Sequence, residues 1–162
     1  MILGYEEIVE KIDKEKLLED VEMSSVGGAG VDLRLGAVYR AKSEGTLGKE
    51  ERVLPEIEEM ADQKFILKPN EYVLIETVEK VNMPDELMAR LLPRSSLFRM
   101  GGSLRYAVVD PGYSGKLTIG LKNDGHYNLV LEKGARVCQI VFEKVSGSTK
   151  PYVGRYQGGK VV

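Results

Sequence analysis

From Val31 onward the chain is cut into short runs rich in β-formers: VDLRLGAVYRA, KFILKP, EYVLIETVEKV, ELMARLLP, KLTIGLKN, YNLVLEKG and RVCQIVFEKV. Glycines, prolines and an Asn-Asp-Gly turn separate them. β-branched and aromatic residues fit a pleated, half-buried surface, and such punctuation reverses the chain, so this rhythm predicts an all-β sandwich or barrel. The N-terminus differs. In GYEEIVEKIDKEKLLEDV, Ile8, Ile12 and Leu17 or Leu18 fall at near-helical spacing with charges between them, which predicts one short amphipathic helix within residues 1–20. Residues 42–64 are polar and acidic and break the strand pattern, so they are expected to form a loop excursion. Residues 146–162 are Gly-rich with little to bury. They are expected to be a flexible arm that can fold over a ligand.

At 162 residues the chain is expected to be a single domain, 1–162, able to bury a core without metal or disulfide staples. Its 23 Lys and Arg nearly balance its 25 Asp and Glu, so no global field draws it to nucleic acid or an anionic membrane. The one cysteine, Cys138, rules out an internal disulfide and suggests a reduced, cytoplasmic setting. No apolar run approaches the roughly 18 residues that a membrane span needs.

Four blocks stand out from the β background: AGVDLRLG (29–36), PRSSLFRMG (93–101), VVDPGYSG (108–115) and GARVCQIVF (134–142). Each alone has an ordinary reading. Asp32 follows a Gly-rich turn and suits an Asx turn, and Asp110 before Pro-Gly suits a turn cap. Arg94, Ser95 and Ser96 follow a proline and offer a guanidinium, two hydroxyls and backbone N–H groups, a cradle for phosphate oxygens or a plain polar turn.

Together, in this order and at these intervals, the blocks resemble the four motifs of the trimeric dUTPase and dCTP deaminase superfamily over residues 29–145. MILGYEEIVEKI and YVGRYQGGK look more like the deaminase branch. The resemblance implies a distorted β-barrel or jelly-roll, a homotrimer with sites at subunit interfaces, and a deoxynucleoside triphosphate substrate carrying Mg²⁺. It also implies roles. Asp110 would orient and deprotonate the attacking water, and Tyr113 would pack against deoxyribose. Arg94, Ser95 and Ser96 would hold phosphates, with Gln139 near the α-phosphate, and Asp32 would reach the metal through water. Tyr156 and Gln157 would close over the nucleotide. Arg99 matches an arginine of the deaminase second motif, and Tyr106 stands where deaminases carry a small residue.

The two branches differ in what their chemistry requires. Hydrolysis at phosphorus needs one aimed water and one carboxylate. Zinc-free deamination of cytosine needs a second acid beside the base, which in the deaminase branch is the glutamate of T-L-E-L, ten residues after the aspartate. Here that position is Gly120, in TIGL. Zinc-dependent deamination needs a His or Cys ligand with a Cys-x-x-Cys pair, and this chain has one Cys and one His. The expectation is therefore a dUTP diphosphatase. A dCTP deaminase or bifunctional enzyme and a nonenzymatic nucleotide-binding trimer are the alternatives.

Overall fold

A computed structural model describes residues 1–162, and it is mainly β. In chain order the elements are α1 (Tyr5–Glu15), β1 (Leu18–Glu19), a 3-10 turn (Met23–Ser25), β2 (Val31–Ala41), β3 (Thr46–Leu47), β4 (Arg52–Val53), β5 (Ile57–Glu59), β6 (Lys64–Leu67), β7 (Tyr72–Asn82), β8 (Leu87–Pro93), α2 (Ser95–Arg99), β9 (Gly102–Arg105), β10 (Ser114–Asn123), β11 (Leu129–Glu132) and β12 (Arg136–Lys144). The main sheet runs β8-β12-β2-β7-β10-β9, with β1 extending the pairing of β7 and β5 that of β2. Past β9 the chain crosses to the far edge and bridges β8 at Val109–Ala89, joining the two ends of the sheet into a nearly closed barrel. A second layer pairs β11 with β6. No helix is long and apolar enough to cross a membrane.

Strand alternation sorts the side chains. Along β7, Val73, Ile75 and Val81 point into the core while Tyr72, Leu74, Glu76 and Lys80 stay partly exposed. Leu33, Leu35, Ile119, Leu121, Ile140 and Phe142 complete that core from β2, β10 and β12. Helix α1 adds Ile8 and Ile12 to it, as their spacing predicts. Its first turn carries Glu6 and Glu7 and its last Lys14, charges that suit the helix dipole.

Two polar groups interrupt the inner row of β7, and both are satisfied. Glu79 is fully buried and takes two bonds from Arg34, one from its N–H at 2.9 Å and one from Nε at 2.7 Å. The Thr77 hydroxyl donates to the Glu79 carbonyl at 2.8 Å and accepts from the Leu117 N–H at 3.0 Å, which ties β7 to β10 across a register shift. A buried charge with one partner missing costs several kcal/mol, so this network fixes how β2, β7 and β10 meet.

Residues 42–64 are not a bare excursion. They fold back as the β3–β4 hairpin, and β5 adds to the edge of β2 through Tyr39–Glu59, Arg40–Glu58 and Ala41–Ile57. Leu54 and Pro55 from this segment reach the cavity described below.

Cys138 is fully buried between β2 and β8. Burial pushes its thiol up to about 12, and the negative charges of Glu79 and Asp32 push the same way. The native state therefore keeps the proton while the unfolded chain loses it near pH 9. Stability is full below that value and is lost as pH rises toward the folded value, at up to about 1.4 kcal/mol per pH unit. Urea midpoints measured from pH 8 to 11 should fall with pH in the wild-type chain and fall less steeply in Cys138→Ala. Equal slopes would show that the thiol is not the cause.

Candidate active site

Asp110-Pro111-Gly112-Tyr113 forms a tight turn between the barrel-closing bridge and β10. The turn is closed by backbone alone, with the Tyr113 N–H donating to the Asp110 carbonyl at 3.2 Å and Gly112 at φ +75°. The Gly112 N–H donates to the Met83 carbonyl at 3.1 Å and anchors the turn to the end of β7. The Asp110 carboxylate takes no part in any of this: it is exposed and has no hydrogen bond or ion pair in the chain. An aspartate serving as a turn cap would spend an oxygen on a nearby N–H.

Asp110 lines a cavity of about 540 Å³. That volume is within the usual range for small-molecule pockets. Its walls are aliphatic and aromatic: Tyr113 and Leu117 beside the turn, Tyr72 to Leu74 from β7, Leu91 from β8, and Val108 and Val109 before Asp110. Asp110 is the only carboxylate side chain in the lining, and Lys160 the only amine.

The C-terminal arm forms the remaining wall through Tyr152, Tyr156, Lys160, Val161 and Val162. It is tied to the turn by several bonds. The Tyr152 N–H donates to the Pro111 carbonyl at 2.8 Å and the Gly158 N–H to the Ser114 carbonyl at 2.8 Å. Gln157 grips the strand start with both ends of its amide, Nε2 donating to the Gly112 carbonyl and Oε1 accepting from the Ser114 N–H, each at 2.9 Å. Gly115, at φ +155°, lets Gly159 lie directly against it; any side chain there would strike the arm. The Tyr152 ring meets Tyr113 edge-on, with centroids 5.6 Å apart. Tyr113 is itself nearly buried, and its hydroxyl donates to the Lys116 carbonyl at 2.7 Å. Burial, then Tyr152 and Glu76, push this phenol up to about 12, so it is neutral at physiological pH.

A second group of the sequence-predicted residues gathers elsewhere. Antiparallel pairing of β12 with β2 sets Gln139 beside Asp32. Arg94 follows Pro93 at the end of β8, where its N–H donates to the Val137 carbonyl at 3.1 Å and its Nε lies 3.1 Å from Asp32 Oδ2. Arg136, which the sequence reading passed over, brings its guanidinium to 4.0 Å from the same oxygen. Asp32 is therefore held between two arginines. No three His, Cys, Asp or Glu side chains converge to hold a metal by themselves. Ser95 and Ser96 are exposed in the first turn of α2, and Arg99 is exposed near its end with its guanidinium 5.4 Å from the Phe98 ring centre. Tyr106 is also exposed. None of Asp32, Arg94, Ser95, Ser96, Arg99 or Gln139 lines the cavity that holds Asp110, Tyr113 and Tyr156.

Gly120 has a physical explanation within the chain. It is buried on β10, paired with Leu74 of β7, and the Tyr72 side chain folds over it. A β-carbon at position 120 would meet Tyr72 Cε2 at 2.8 Å and press still closer on its hydroxyl oxygen. The place of the absent side chain is filled by a protein ring. The sequence signal lay in EYVLIETVEKV, where Tyr72 reads as an ordinary exposed strand residue until the register with β10 is known.

Residues 2–145 match the family model described as dCTP deaminase-like. A protein of Thermococcus gammatolerans named dCTP deaminase is 40% identical over 93% of this chain and 89% of its own length. A Methanothermobacter thermautotrophicus protein named probable deoxyuridine 5'-triphosphate nucleotidohydrolase is 38% identical over 88% of this chain and 94% of its own. The crystal structure of 2'-deoxycytidine 5'-triphosphate deaminase from Agrobacterium tumefaciens superposes with a TM-score of 0.71 at 21% identity. That match covers 89% of this chain and 48% of the deaminase chain, so it is a likeness of fold over about half of that protein.

If Tyr72 fills the space over Gly120, the two positions are energetically coupled. Residues in contact show coupling of about 0.5–3 kcal/mol. Gly120→Ala should therefore be better tolerated by that margin in a Tyr72→Ala background than in the wild-type chain, read by urea denaturation of the four proteins. Additive effects would contradict the packing.

Proposed function

The chain belongs to the dCTP deaminase-like family, and within it we propose that it is a dUTP diphosphatase, converting dUTP and water to dUMP and pyrophosphate. The observation that carries this reading is Asp110: a carboxylate without a protein partner at an apolar cavity that has no second acidic side chain in its walls. One unpaired carboxylate suits the activation of one water. Deamination asks for a second carboxylic acid to serve the ring nitrogen and the departing ammonia, and Gly120 under the Tyr72 ring leaves no acid at that place.

In this mechanism the pyrimidine, the flat and least charged part of the nucleotide, enters the aliphatic cavity, and deoxyribose rests on Tyr113. Asp110 accepts a proton from the water it aims, and the water oxygen bonds to the α-phosphorus as the bond to the bridging oxygen breaks. Pyrophosphate leaves with that electron pair. Arg94, Ser95, Ser96 and Gln139 hold the phosphates, joined by Arg136, and offset charge as it moves to the leaving group. Asp32, held by two arginines, would reach through water the magnesium that a triphosphate substrate carries, an ion that would offset charge on the phosphate oxygens. Arg99 supports the phosphates or a neighbouring subunit. Because this phosphate group is absent from the lining around Asp110, the reading assigns it to a neighbouring copy in a homotrimer. Tyr156 and Gln157, on an arm already bonded to the turn, complete the closure.

A second reading, dCTP deamination with or without hydrolysis, is favoured by the names of relatives such as the Thermococcus gammatolerans protein. Product analysis separates the two. With magnesium and either dUTP or dCTP, the wild-type protein should yield dUMP and pyrophosphate from dUTP and no ammonia from dCTP. Asp110→Asn should lower kcat by about 10²–10⁴-fold while a non-hydrolysable dUTP analogue still binds within a few-fold of wild type. Ammonia or dUTP formed from dCTP would overturn the proposal, and undiminished cleavage by Asp110→Asn would remove Asp110 from its role.

A further inference from the structure

The face of β7 and β10 that meets the cavity carries two hydroxyls that nothing in the chain uses. Register pairs Glu76 with Thr118, Leu74 with Gly120 and Tyr72 with Lys122, so Thr118 and the Tyr72 ring flank Gly120. Both residues line the cavity. The Thr118 Oγ1 is buried and has no hydrogen-bond partner. The Tyr72 side chain is half exposed and its hydroxyl lies over Gly120, again without a bond to the chain.

Buried polar atoms without partners are rare, because each forgoes its bonds to water and receives nothing in exchange. Here the orphan hydroxyl stands beside a second free hydroxyl in a wall otherwise made of Val73, Leu74 and Leu117. A ligand seated there would be flat and uncharged, with hydrogen-bonding groups along one edge. A pyrimidine has that form.

Resting on the reading of the site as a deoxynucleotide pocket, we infer that Tyr72 and Thr118 form the subsite for the base edge, and that Tyr72 also sets which reaction the pocket supports. A hydroxyl both donates and accepts, so this pair can bond to the carbonyl or ring N–H of uracil. The Tyr72 ring does the excluding. By occupying the space above Gly120 it keeps a second acid, and the water such an acid would hold, away from the base. Gly120 and Tyr72 thus depend on each other: the glycine makes room for the ring, and the ring replaces what a side chain at 120 would have contributed.

The test uses Tyr72→Phe, Tyr72→Ala and Thr118→Val in the full chain, with dUMP and inorganic tripolyphosphate as separate probes in calorimetric titrations. Loss of one hydrogen bond corresponds to about five- to tenfold in affinity. Tyr72→Phe and Thr118→Val should each weaken dUMP by that factor, and Tyr72→Ala by more, while tripolyphosphate binds all four proteins alike. With dUTP the same substitutions should raise KM and leave kcat within about twofold, the pattern of binding lost equally from ground and transition states. Tyr72→Phe keeps the ring and serves as the variant that folds. The inference is overturned if Tyr72→Phe and Thr118→Val bind dUMP within twofold of wild type, if tripolyphosphate weakens in parallel, or if the wild-type chain does not bind dUMP. A wild-type chain that binds dUMP through these residues yet leaves dUTP intact would instead overturn the diphosphatase reading and leave the subsite standing.

Discussion

The register of β7 against β10 is the constraint from which the cavity follows. It places Ile75 opposite Ile119 and Val73 opposite Leu121 in the core, and by the same alternation turns Leu74 and Gly120 to the other face. A shift between Lys116 and Thr118 interrupts the ladder, and the Thr77 hydroxyl, bonded to the Leu117 N–H, holds that irregularity in place. Slipping β7 by one residue would turn Tyr72, Glu76 and Lys80 toward the core and Val73, Ile75 and Val81 out of it. The buried Glu79–Arg34 pair guards against such a slip, because the slip would also turn Glu79 to the other face and separate it from Arg34.

On that frame the chain separates two kinds of chemistry. The cavity is aliphatic and aromatic, with its one acidic side chain unbound and the Tyr72 and Thr118 hydroxyls unused; the arginine-bearing surface around Asp32 is polar and already internally paired. A nucleoside triphosphate is divided the same way, into a flat ring and a dense anionic tail. Reading the pocket as the seat of the ring and the arginine surface as the seat of the tail accounts for both. It also gives a second copy of the chain a chemical task beyond burying area.

Much of this was legible in the sequence. The run VDLRLGAVYRA is β2 from end to end, and Ile8 and Ile12 mark the buried stripe of α1, because hydrophobic period reports directly which face is covered. The four blocks and Gly120 could be picked out because turn residues, arginines and a glycine within a strand are conspicuous in one dimension. What escaped depends on partners distant in sequence. Tyr72 gains its meaning only from lying over Gly120, 48 positions away. Arg136 matters because β12 pairs with β2, and Glu79 because Arg34 reaches it. The arm at 146–162 offers no apolar pattern to read. Its attachment is through backbone groups, the Gln157 amide, the Thr149 hydroxyl and the Tyr152 ring against Tyr113, and composition does not record those. Residues 42–64 likewise gain their strands by pairing with an edge of β2 rather than from their own propensity.

The account depends most on where the water attacks. Cleavage of dUTP in oxygen-18 water, followed by mass spectrometry of both products, measures that directly. Attack at the α-phosphorus by a water held on Asp110 predicts one labelled oxygen in dUMP, none in pyrophosphate, and an unaltered base. Label in pyrophosphate would contradict it, as would oxygen-18 appearing at C4 of the pyrimidine when dCTP is supplied.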